Sequence, residues 1–335
     1  MAIYKTSQGL RVKSVSSDPA NIKEGQIWYN SSVKKIKVVP TIGAWASGGN
    51  SSTSKSNLGS FGIQTAAVQA CGIIPPGAPS TDYSQISCEE YDGSSWTAGG
   101  NVSDGKRYII GGGGTLTAGF IAKGSDGASF YTKTEEYDGS SWTTSGATSI
   151  GAQLACALGA TQTAGLCIGG ASPAGPRFNS TEEYDGSSWT TGGNMGSVGY
   201  SIAGAGTQTA GLRFGGSISD PTTSSNISEE YDGSSWTSGE TAPYSQRGAG
   251  GSGTQTAAIF HGGKPPTVAT AVTYDGTNWA AVANLATARD DHGTTNAAAG
   301  GNNLAASFNG NISGGRANTL EEWTEAATTR TVDVS

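Results

Sequence analysis

The sequence is poor in several features that define common protein classes. Charged side chains make up 13% of its 335 residues, about half the usual ~25%. No apolar run approaches the ~18 residues of a membrane-spanning helix, and the first residues lack the apolar core of a secretory signal. We therefore expect that the protein is synthesised in a cytoplasm and is not inserted into a membrane. No zinc spacing, phosphate-binding loop or nucleophile motif is present.

Glycine is in surplus. The chain has 53 glycines, about 16% where roughly 7% is usual, and only two precede residue 43. Charge divides near the same place, because residues 1–60 carry eight basic and two acidic side chains and the rest carry 11 basic and 24 acidic ones. A basic head on an acidic body indicates two parts with different partners. The acidic body would repel phosphate, so we expect no nucleic-acid partner.

Two motifs recur along the chain, the first of them every 43–49 residues. Glu-Glu-Tyr-Asp-Gly-Ser-Ser-Trp or a close variant occurs five times, and a sixth copy has tryptophan at the tyrosine position. Upstream of each copy lies a form of Gly-Thr-Gln-Thr-Ala, best preserved at residues 206–210 and 253–257. This period is typical of propellers and solenoids. The repeated aromatic residues, for which we expect structural roles, are Tyr91, Trp96, Tyr137, Trp142, Tyr184, Trp189, Tyr231, Trp236, Tyr274, Trp279 and Trp323.

Each period is predicted to hold two hairpins. Short apolar runs lie between turn residues, without a sustained helical pattern. Asp-Gly is a strong signal for a two-residue turn, so a turn at Asp232 and Gly233 would place Tyr231 opposite Ser234 and Trp236 opposite Glu229. Tyrosine and tryptophan would then share one face of the hairpin. Two hairpins make four strands, which is one propeller blade.

The repeats resemble the kelch family, in which an apolar strand ends in a double glycine and is followed by a tyrosine and then a tryptophan. The double glycine stands at Gly169-Gly170, Gly215-Gly216 and Gly262-Gly263, and is replaced at Cys71-Gly72, Lys123-Gly124 and Asn309-Gly310. The resemblance implies an all-β, kelch-like β-propeller over residues 46–335, after a short β-hairpin head over residues 1–45. We expect six blades, or seven if the head joins the ring. Residues 43–45 or 329–334 would supply the closing strand.

We expect no enzyme activity, no cofactor and no metal. The two histidines, His261 and His292, fall in different repeats, which argues against a shared copper pocket. Asp290, Asp291 and His292 are adjacent, and adjacent side chains rarely converge on one ion. A catalytic carboxylate pair is needed once, whereas paired glutamates recur in almost every repeat and so favour structural or surface roles.

The four cysteines are Cys71, Cys88, Cys156 and Cys167. A turn centred on residues 161–162 would place Cys156 directly opposite Cys167, so a cross-strand disulfide is geometrically conceivable. A crowded interior and a reducing compartment favour free, buried thiols instead.

The second turn of each repeat varies strongly in length and composition, whereas the first and third hardly change. In a four-stranded blade the second turn and the blade-to-blade link emerge on one face of the disc. Loops on a rigid scaffold commonly carry recognition, although unconstrained drift would also diversify them. The candidate contacts are Tyr83, Phe130, Tyr131, Arg177, Phe178 and Lys264.

The head contains Gly25-Gln26-Ile27-Trp28-Tyr29-Asn30, then Lys35-Ile36-Lys37-Val38, then Trp45. It resembles a short module near the N-termini of bacteriophage tail-fibre and other virion structural proteins, and the repeats look similar to those of marine-phage structural proteins. The resemblance implies a virion component, made in the host cytoplasm, whose head docks to other virion proteins. We expect a tail- or fibre-associated homo-oligomer that recognises a host-surface glycan or protein through the variable loops. A purely structural capsid decoration or tail connector, and a cellular kelch-type interaction module, remain alternatives.

Overall fold

The computed structural model describes residues 12–16, 27–32, 34–38, 43–75, 85–172, 175–218, 223–295 and 304–325. Regular structure in these residues is entirely β, and none of them belongs to a helix that could span a membrane. The chain divides into two compact units, Met1–Ala44 with Thr324–Ser335, and Trp45–Trp323. We call residues 45–323 the body.

The head unit contains a three-stranded sheet. The predicted hairpin is present as β2 (Ile27–Asn30) and β3 (Lys35–Val38), which pair antiparallel with Asn30 opposite Lys35. A further strand, β1 (Lys13–Val15), pairs parallel to β2. Trp28 is buried.

The described residues of the body form six sheets of four or five strands, which we number in chain order. In sheets 1 to 5 four consecutive strands pair antiparallel. Sheet 1 is β5 (Gly59–Ile63), β6 (Ala66–Ala70), β7 (Cys88–Tyr91) and β8 (Trp96–Ala98). Sheet 2 is β10 (Gly113–Thr115), β11 (Ala118–Ala122), β12 (Thr134–Tyr137) and β13 (Trp142–Ser145). Sheet 3 is β14 (Cys156–Thr161), β15 (Ala164–Ile168), β16 (Thr181–Tyr184) and β17 (Trp189–Thr191), with β9 (Ile110–Gly111) parallel to β14.

Sheets 4 and 5 repeat this plan. Sheet 4 is β18 (Ala203–Thr207), β19 (Ala210–Phe214), β20 (Ser228–Tyr231) and β21 (Trp236–Ser238). Sheet 5 is β22 (Gly250–Thr254), β23 (Ala257–His261), β24 (Ala271–Tyr274) and β25 (Trp279–Ala281). The body is therefore all-β, as predicted, and β-propeller-like.

Sheet 6 takes its fourth strand from the other end of the sequence. Its order is β26 (Gly293–Thr294), β27 (Leu304–Phe308), β30 (Leu320–Thr324) and then β4 (Ala44–Ser47). A small hairpin of β28 (Asn311–Ile312) and β29 (Gly315–Arg316) lies between β27 and β30. Of the two proposed sources of a closing strand, residues 43–45 and residues 329–334, the first contributes Ala44 and Trp45 to β4, and the second lies outside the described part of the chain.

The third turn differs from the predicted two-residue turn. Tyr231 lies opposite Trp236, and Glu229 lies opposite Ser238, so the loop has four residues. The reason is the Asp232 carboxylate, whose Oδ1 accepts hydrogen bonds from the backbone N–H groups of Ser234 and Ser235, both at 2.8 Å. The expected sharing of one face is confirmed, because the Tyr231 and Trp236 rings lie 5.0 Å apart.

Neighbouring sheets are joined by the tyrosine of one repeat and the second glutamate of the repeat before it. Tyr184 donates to Glu136 at 2.7 Å, and Tyr274 donates to Glu230 at 2.6 Å. The bonds from Tyr91 to Glu322, Tyr137 to Glu90 and Tyr231 to Glu183 are equivalent. Burial, together with the acceptor carboxylate, raises the pKa of Tyr91 and Tyr231 to about 12.

The glutamine of Gly-Thr-Gln-Thr-Ala joins the same sheets at the first turn. Gln255 Nε2 donates to the backbone oxygens of Gly211 and Tyr231 in sheet 4, at 2.9 and 2.8 Å. Gln162 and Gln208 make the equivalent bonds to sheets 2 and 3. Gln64 of sheet 1 donates to Ala305 and Trp323 of sheet 6. The repeated motifs are therefore the fastenings between sheets.

Glycine permits the first strands to pack closely. A Cβ on Gly251 would lie 2.5 Å from the carbonyl oxygen of Gly204 in the neighbouring first strand. Gly111, Ala157, Gly204, Gly251 and Thr294 help to line a cavity of only about 20 Å³, room for about one water molecule.

The cysteines are free and buried in the described residues, as the sequence favoured. The predicted opposition of Cys156 and Cys167 is wrong by one residue, since Cys156 lies opposite Ile168 and Ala157 opposite Cys167. Successive side chains alternate between sheet faces, so the two thiols enter different hydrophobic clusters.

Candidate functional site: the loop face

The strand ends define two faces of the body. The first and third turns form what we call the turn face, and the second connections and the links between sheets form the loop face. On the turn face, the exposed aspartate of each third turn accepts hydrogen bonds from backbone N–H groups of the same turn, as Asp232 and Asp92 do. Hydrogen bonds from Ser95 and Ser94 lower the pKa of Asp92 to about 2, so this carboxylate is an anion at neutral pH. The turn face is thus uniform and acidic.

The first glutamate of each Glu-Glu pair is buried in a structural role. Glu135 binds Lys106 at 2.7 Å on one side and the backbone N–H of Ser103, in the preceding link, at 2.9 Å on the other. Glu182 binds Lys123 at 2.8 Å, and Glu321 binds Arg289 at 2.7 Å. These carboxylates are neutralised by cations and accept hydrogen bonds from the links. The arrangement recurs from sheet to sheet, so it holds each link against its sheet.

The fifth repeat departs from this plan in a correlated way. Val272 stands at the buried glutamate position, and Phe260 lies opposite it, where sheet 4 has Arg213 opposite Glu229. The link residue that elsewhere donates its N–H to the glutamate is here Pro243, which has no N–H. In the fifth repeat the buried glutamate, the residue opposite it and the N–H donor in the link are therefore all replaced together, the first two by uncharged residues and the third by proline.

The second glutamate position of the fifth repeat is changed as well. Thr273 occupies it, and the tyrosine that would donate to it is replaced in sheet 6 by Trp323. Trp323 is fully buried, and its ring lies 5.6 Å from that of Trp45. Loss of the acceptor and loss of the donor thus occur together.

The double-glycine positions build the edge of the loop face. At all six, both residues have positive φ, including Cys71, Lys123 and Asn309, with φ values of 64°, 60° and 60°. The second residue is always glycine, and its N–H donates to a carbonyl of the next sheet's link. The six bonds are Gly72 to Lys106, Gly124 to Ala152, Gly170 to Gly199, Gly216 to Gln246, Gly263 to Arg289 and Gly310 to Lys55.

Six further left-handed residues lie where the links enter the first strands. They are Asn57, Tyr108, Leu154, Ser201, Gly248 and Asp291, with φ between 48° and 62°. The N–H of each of Leu154, Ser201, Gly248, Asp291 and Asn57 donates to the carbonyl of the residue in the sheet before it, at 2.7–2.9 Å. We call these six residues the mouth residues. Their sequence signal is weak because only three of them are Asn, Asp or Gly, the types that favour positive φ.

Three arginines surround the mouth residues. Arg107 and Arg247 directly precede Tyr108 and Gly248, and Arg177 lies in the second connection of sheet 3. Arg107 Nε, Arg177 Nε and Arg247 Nη1 are buried and have no hydrogen-bond partner within the described ranges. The guanidinium of Arg107 lies 5.3 Å from the centre of the Tyr108 ring, and that of Arg177 lies 5.1 Å from the Tyr200 ring.

Arg177 also lines a pocket on the loop face. The pocket has a volume of about 350 Å³ and is lined by Gln153, Leu154, Ala171, Ser172, Gly175, Arg177 and Tyr200. Of the residues proposed from sequence, Arg177 therefore lies in a cavity. Its neighbour Phe178 packs against a hydrophobic cluster containing Phe120 and Tyr184. Tyr200 and the mouth residues were not proposed from sequence.

The other sequence candidates are dispersed. Tyr83 lies outside the described residues. Phe130 and Tyr131 are half-buried in the second connection of sheet 2, where the Tyr131 hydroxyl binds Asp126 at 2.9 Å. Lys264 binds Asp290 at 2.9 Å and also contacts Asp291. Its charge is already neutralised within the body.

The two histidines meet, although they come from different repeats. His292 Nε2 lies 3.0 Å from His261 Nδ1, and the Trp45 ring packs edge-on against His261 at 4.8 Å. Burial lowers the pKa of His292 to about 3, and burial and the neighbouring His292 lower the pKa of His261 as well. Asp290 and Asp291 face Lys264 instead. The described residues contain no group of three or more His, Cys, Asp or Glu side chains able to hold a metal ion.

No protein-family model matches the sequence, and the search of curated proteins found no match.

Proposed function

We propose that the body is a closed, six-bladed β-propeller, with sheets 1 to 6 as blades and β4 as the strand that closes the ring. Contacts between the last and first sheets support this. Five of the six double-glycine bonds join a sheet to the link that leads into the next sheet along the sequence. The sixth, from Gly310 N–H to the Lys55 carbonyl, joins sheet 6 to the link that leads into sheet 1. Trp96 donates to Gly49 at 2.9 Å, four residues after Trp45, as Trp279 donates to Glu240, four residues after Trp236.

We further propose that the protein is a non-enzymatic bacteriophage virion protein, associated with the tail or fibre, which binds the host surface through the loop face. The observation that carries the recognition role is the contrast between the two faces. The turn face repeats one set of self-contained hydrogen bonds, whereas the loop face is diversified and presents three arginines that each have one buried nitrogen without an acceptor among the described residues. The virion assignment draws its support from the head motif and the repeat motifs, and the head is the proposed attachment to other virion proteins.

Two measurements test this proposal. Mass spectrometry of purified particles is expected to detect the chain, and the purified full-length chain is expected to bind host cells and slow phage adsorption. The full chain is needed because cutting before residue 46 would remove part of β4. The matched control is the same chain with the second connection of sheet 3, residues 171–180, replaced by that of sheet 4, residues 217–227.

Presence in particles without binding or competition would favour a capsid decoration or connector. Absence from particles would overturn the virion proposal and leave a cellular interaction module. Equal binding by the loop-exchanged control would argue against recognition through that connection.

A further inference from the structure

The arginines of the loop face stand out because other described cations of the body have partners. Lys106, Lys123, Arg213 and Arg289 bind buried glutamates. Arg316 donates to Ser56 Oγ at 2.7 Å and to the Ile74 carbonyl at 2.9 Å. In each of Arg107, Arg177 and Arg247 one buried nitrogen (Nε, Nε and Nη1, respectively) has no hydrogen-bond acceptor among the described residues, although the chain has a net charge of −7.

A buried guanidinium nitrogen without an acceptor is costly, because its removal from water is not compensated by a hydrogen bond. Stacking on Tyr108 and Tyr200 restricts two of these groups before any ligand arrives. Such stacking leaves the guanidinium edge able to bind a carboxylate or phosphate with two parallel hydrogen bonds. The arrangement is therefore suited to anions.

The order of the mouth residues spreads these arginines along an arc. Tyr108, Leu154, Ser201 and Gly248 are consecutive, each bonded to the next. Arg107 and Arg247 flank its two ends, and Arg177 lies with Tyr200 between them. Because the three arginines lie in different links or connections, a ligand with several charges along its length can pair with more of them than one small anion can.

The pocket between the ends of the arc fits a sugar. Its ~350 Å³ combines the Tyr200 ring with Gln153, Ser172 and the Arg177 guanidinium. An aromatic face with a few polar groups is the usual composition of a site that orients a small organic ligand.

We infer that the loop face binds an anionic glycan, whose carboxylate or phosphate groups pair with Arg107, Arg177 and Arg247 and one of whose sugar rings occupies the pocket at Tyr200. This deepens the proposed host-surface recognition and rests on it. The negative turn face would repel the same polymer, so binding is restricted to one side of the body.

The test uses the full-length chain and titration calorimetry with polygalacturonate, which carries carboxylates, phosphomannan, which carries phosphates, and neutral dextran. One or both polyanions should bind, with affinity falling as salt rises, and dextran should not. Each of Arg107→Gln, Arg177→Gln and Arg247→Gln should weaken binding by about 10-fold or more. Lys133→Gln, which removes a charge already paired with Asp104, should change affinity less than 2-fold.

Failure of both polyanions to bind, equal weakening by Lys133→Gln, or tighter binding of a single-stranded oligonucleotide of similar charge would overturn the inference. The same variants are then compared in host-cell binding and phage adsorption. Wild-type activity of all three arginine variants there would reject the anionic glycan while leaving host recognition intact. Failure of the unmodified chain to bind cells, despite binding a polyanion, would reject host recognition instead.

Discussion

The hydroxyl of Tyr91 in the first sheet lies 3.0 Å from Glu322 Oε1 in the last sheet. The bond is equivalent to the one between Tyr231 and Glu183 in the middle of the body. Both tyrosines are fully buried, and each glutamate is the second of a Glu-Glu pair. The same type of bond therefore joins consecutive sheets and also joins the first sheet to the last.

The proposed closure of the ring predicts that Tyr91→Phe and Tyr231→Phe destabilise the protein to a similar extent. Each variant removes one partly buried hydrogen bond to a carboxylate, which contributes about 1.5–3 kcal/mol. Urea unfolding followed by tryptophan fluorescence measures both. If Tyr91→Phe left stability unchanged while Tyr231→Phe lowered it, the first and last sheets would not be joined in solution.

Sheet 5 has Phe260 and Val272 where sheet 4 has the ion pair of Arg213 and Glu229. This joint replacement predicts strong energetic coupling between Arg213 and Glu229. Glu229→Val should destabilise by about 3–5 kcal/mol, because it leaves Arg213 buried without its partner. The double variant with Arg213→Phe copies the Val272 and Phe260 pair of sheet 5 and should recover most of that loss. Chemical denaturation of the two single variants and the double variant gives the coupling energy. An additive result would show that the two pairs are not interchangeable.

Local repetition made the four-stranded sheets predictable. The motif spacing, the alternation within strands and the shared face of Tyr231 and Trp236 all follow from residues close together in sequence. The turn register did not follow from the Asp-Gly pair, because the Asp232 carboxylate accepts hydrogen bonds from the N–H groups two and three residues later, those of Ser234 and Ser235, and these bonds stabilise a four-residue loop.

Contacts between residues far apart in sequence could not be predicted, for a different reason. The joining of Gly310 to Lys55 and the meeting of His261 with His292 depend on how sheets are placed beside one another. The sequence shows the repeated glutamates but not which of each pair is buried. Likewise, Arg177 was found through its variable connection, whereas Tyr200, in a link, carried no such signal.

Because the four thiols are buried, we expect them not to react with thiol reagents in the folded protein. Burial raises the pKa of Cys71 and Cys88 to about 12 and that of Cys167 to about 11, so almost no thiolate is present at pH 8. Ellman's reagent should therefore label no thiol in the native protein and all four cysteines in guanidinium chloride without reductant. Labelling of only two in denaturant would establish a disulfide and contradict the free thiols of the structure.

The histidine pair predicts that the protein loses stability in mild acid. In the unfolded chain each histidine takes up a proton near pH 6.5, whereas in the folded protein the pKa of His292 is lowered to about 3 and that of His261 is lowered as well. Stability is therefore complete above pH 6.5 and falls as the pH drops, because only the unfolded state gains protons. Between pH 6 and pH 5 the two groups together should lower the free energy of unfolding by about 2 kcal/mol. The matched control is His261→Phe with His292→Leu, since Phe308 and Leu58 occupy the equivalent positions of sheets 6 and 1. Its urea midpoint should be nearly constant across that unit of pH, and a slope equal to that of the wild type would assign the acid sensitivity to other groups.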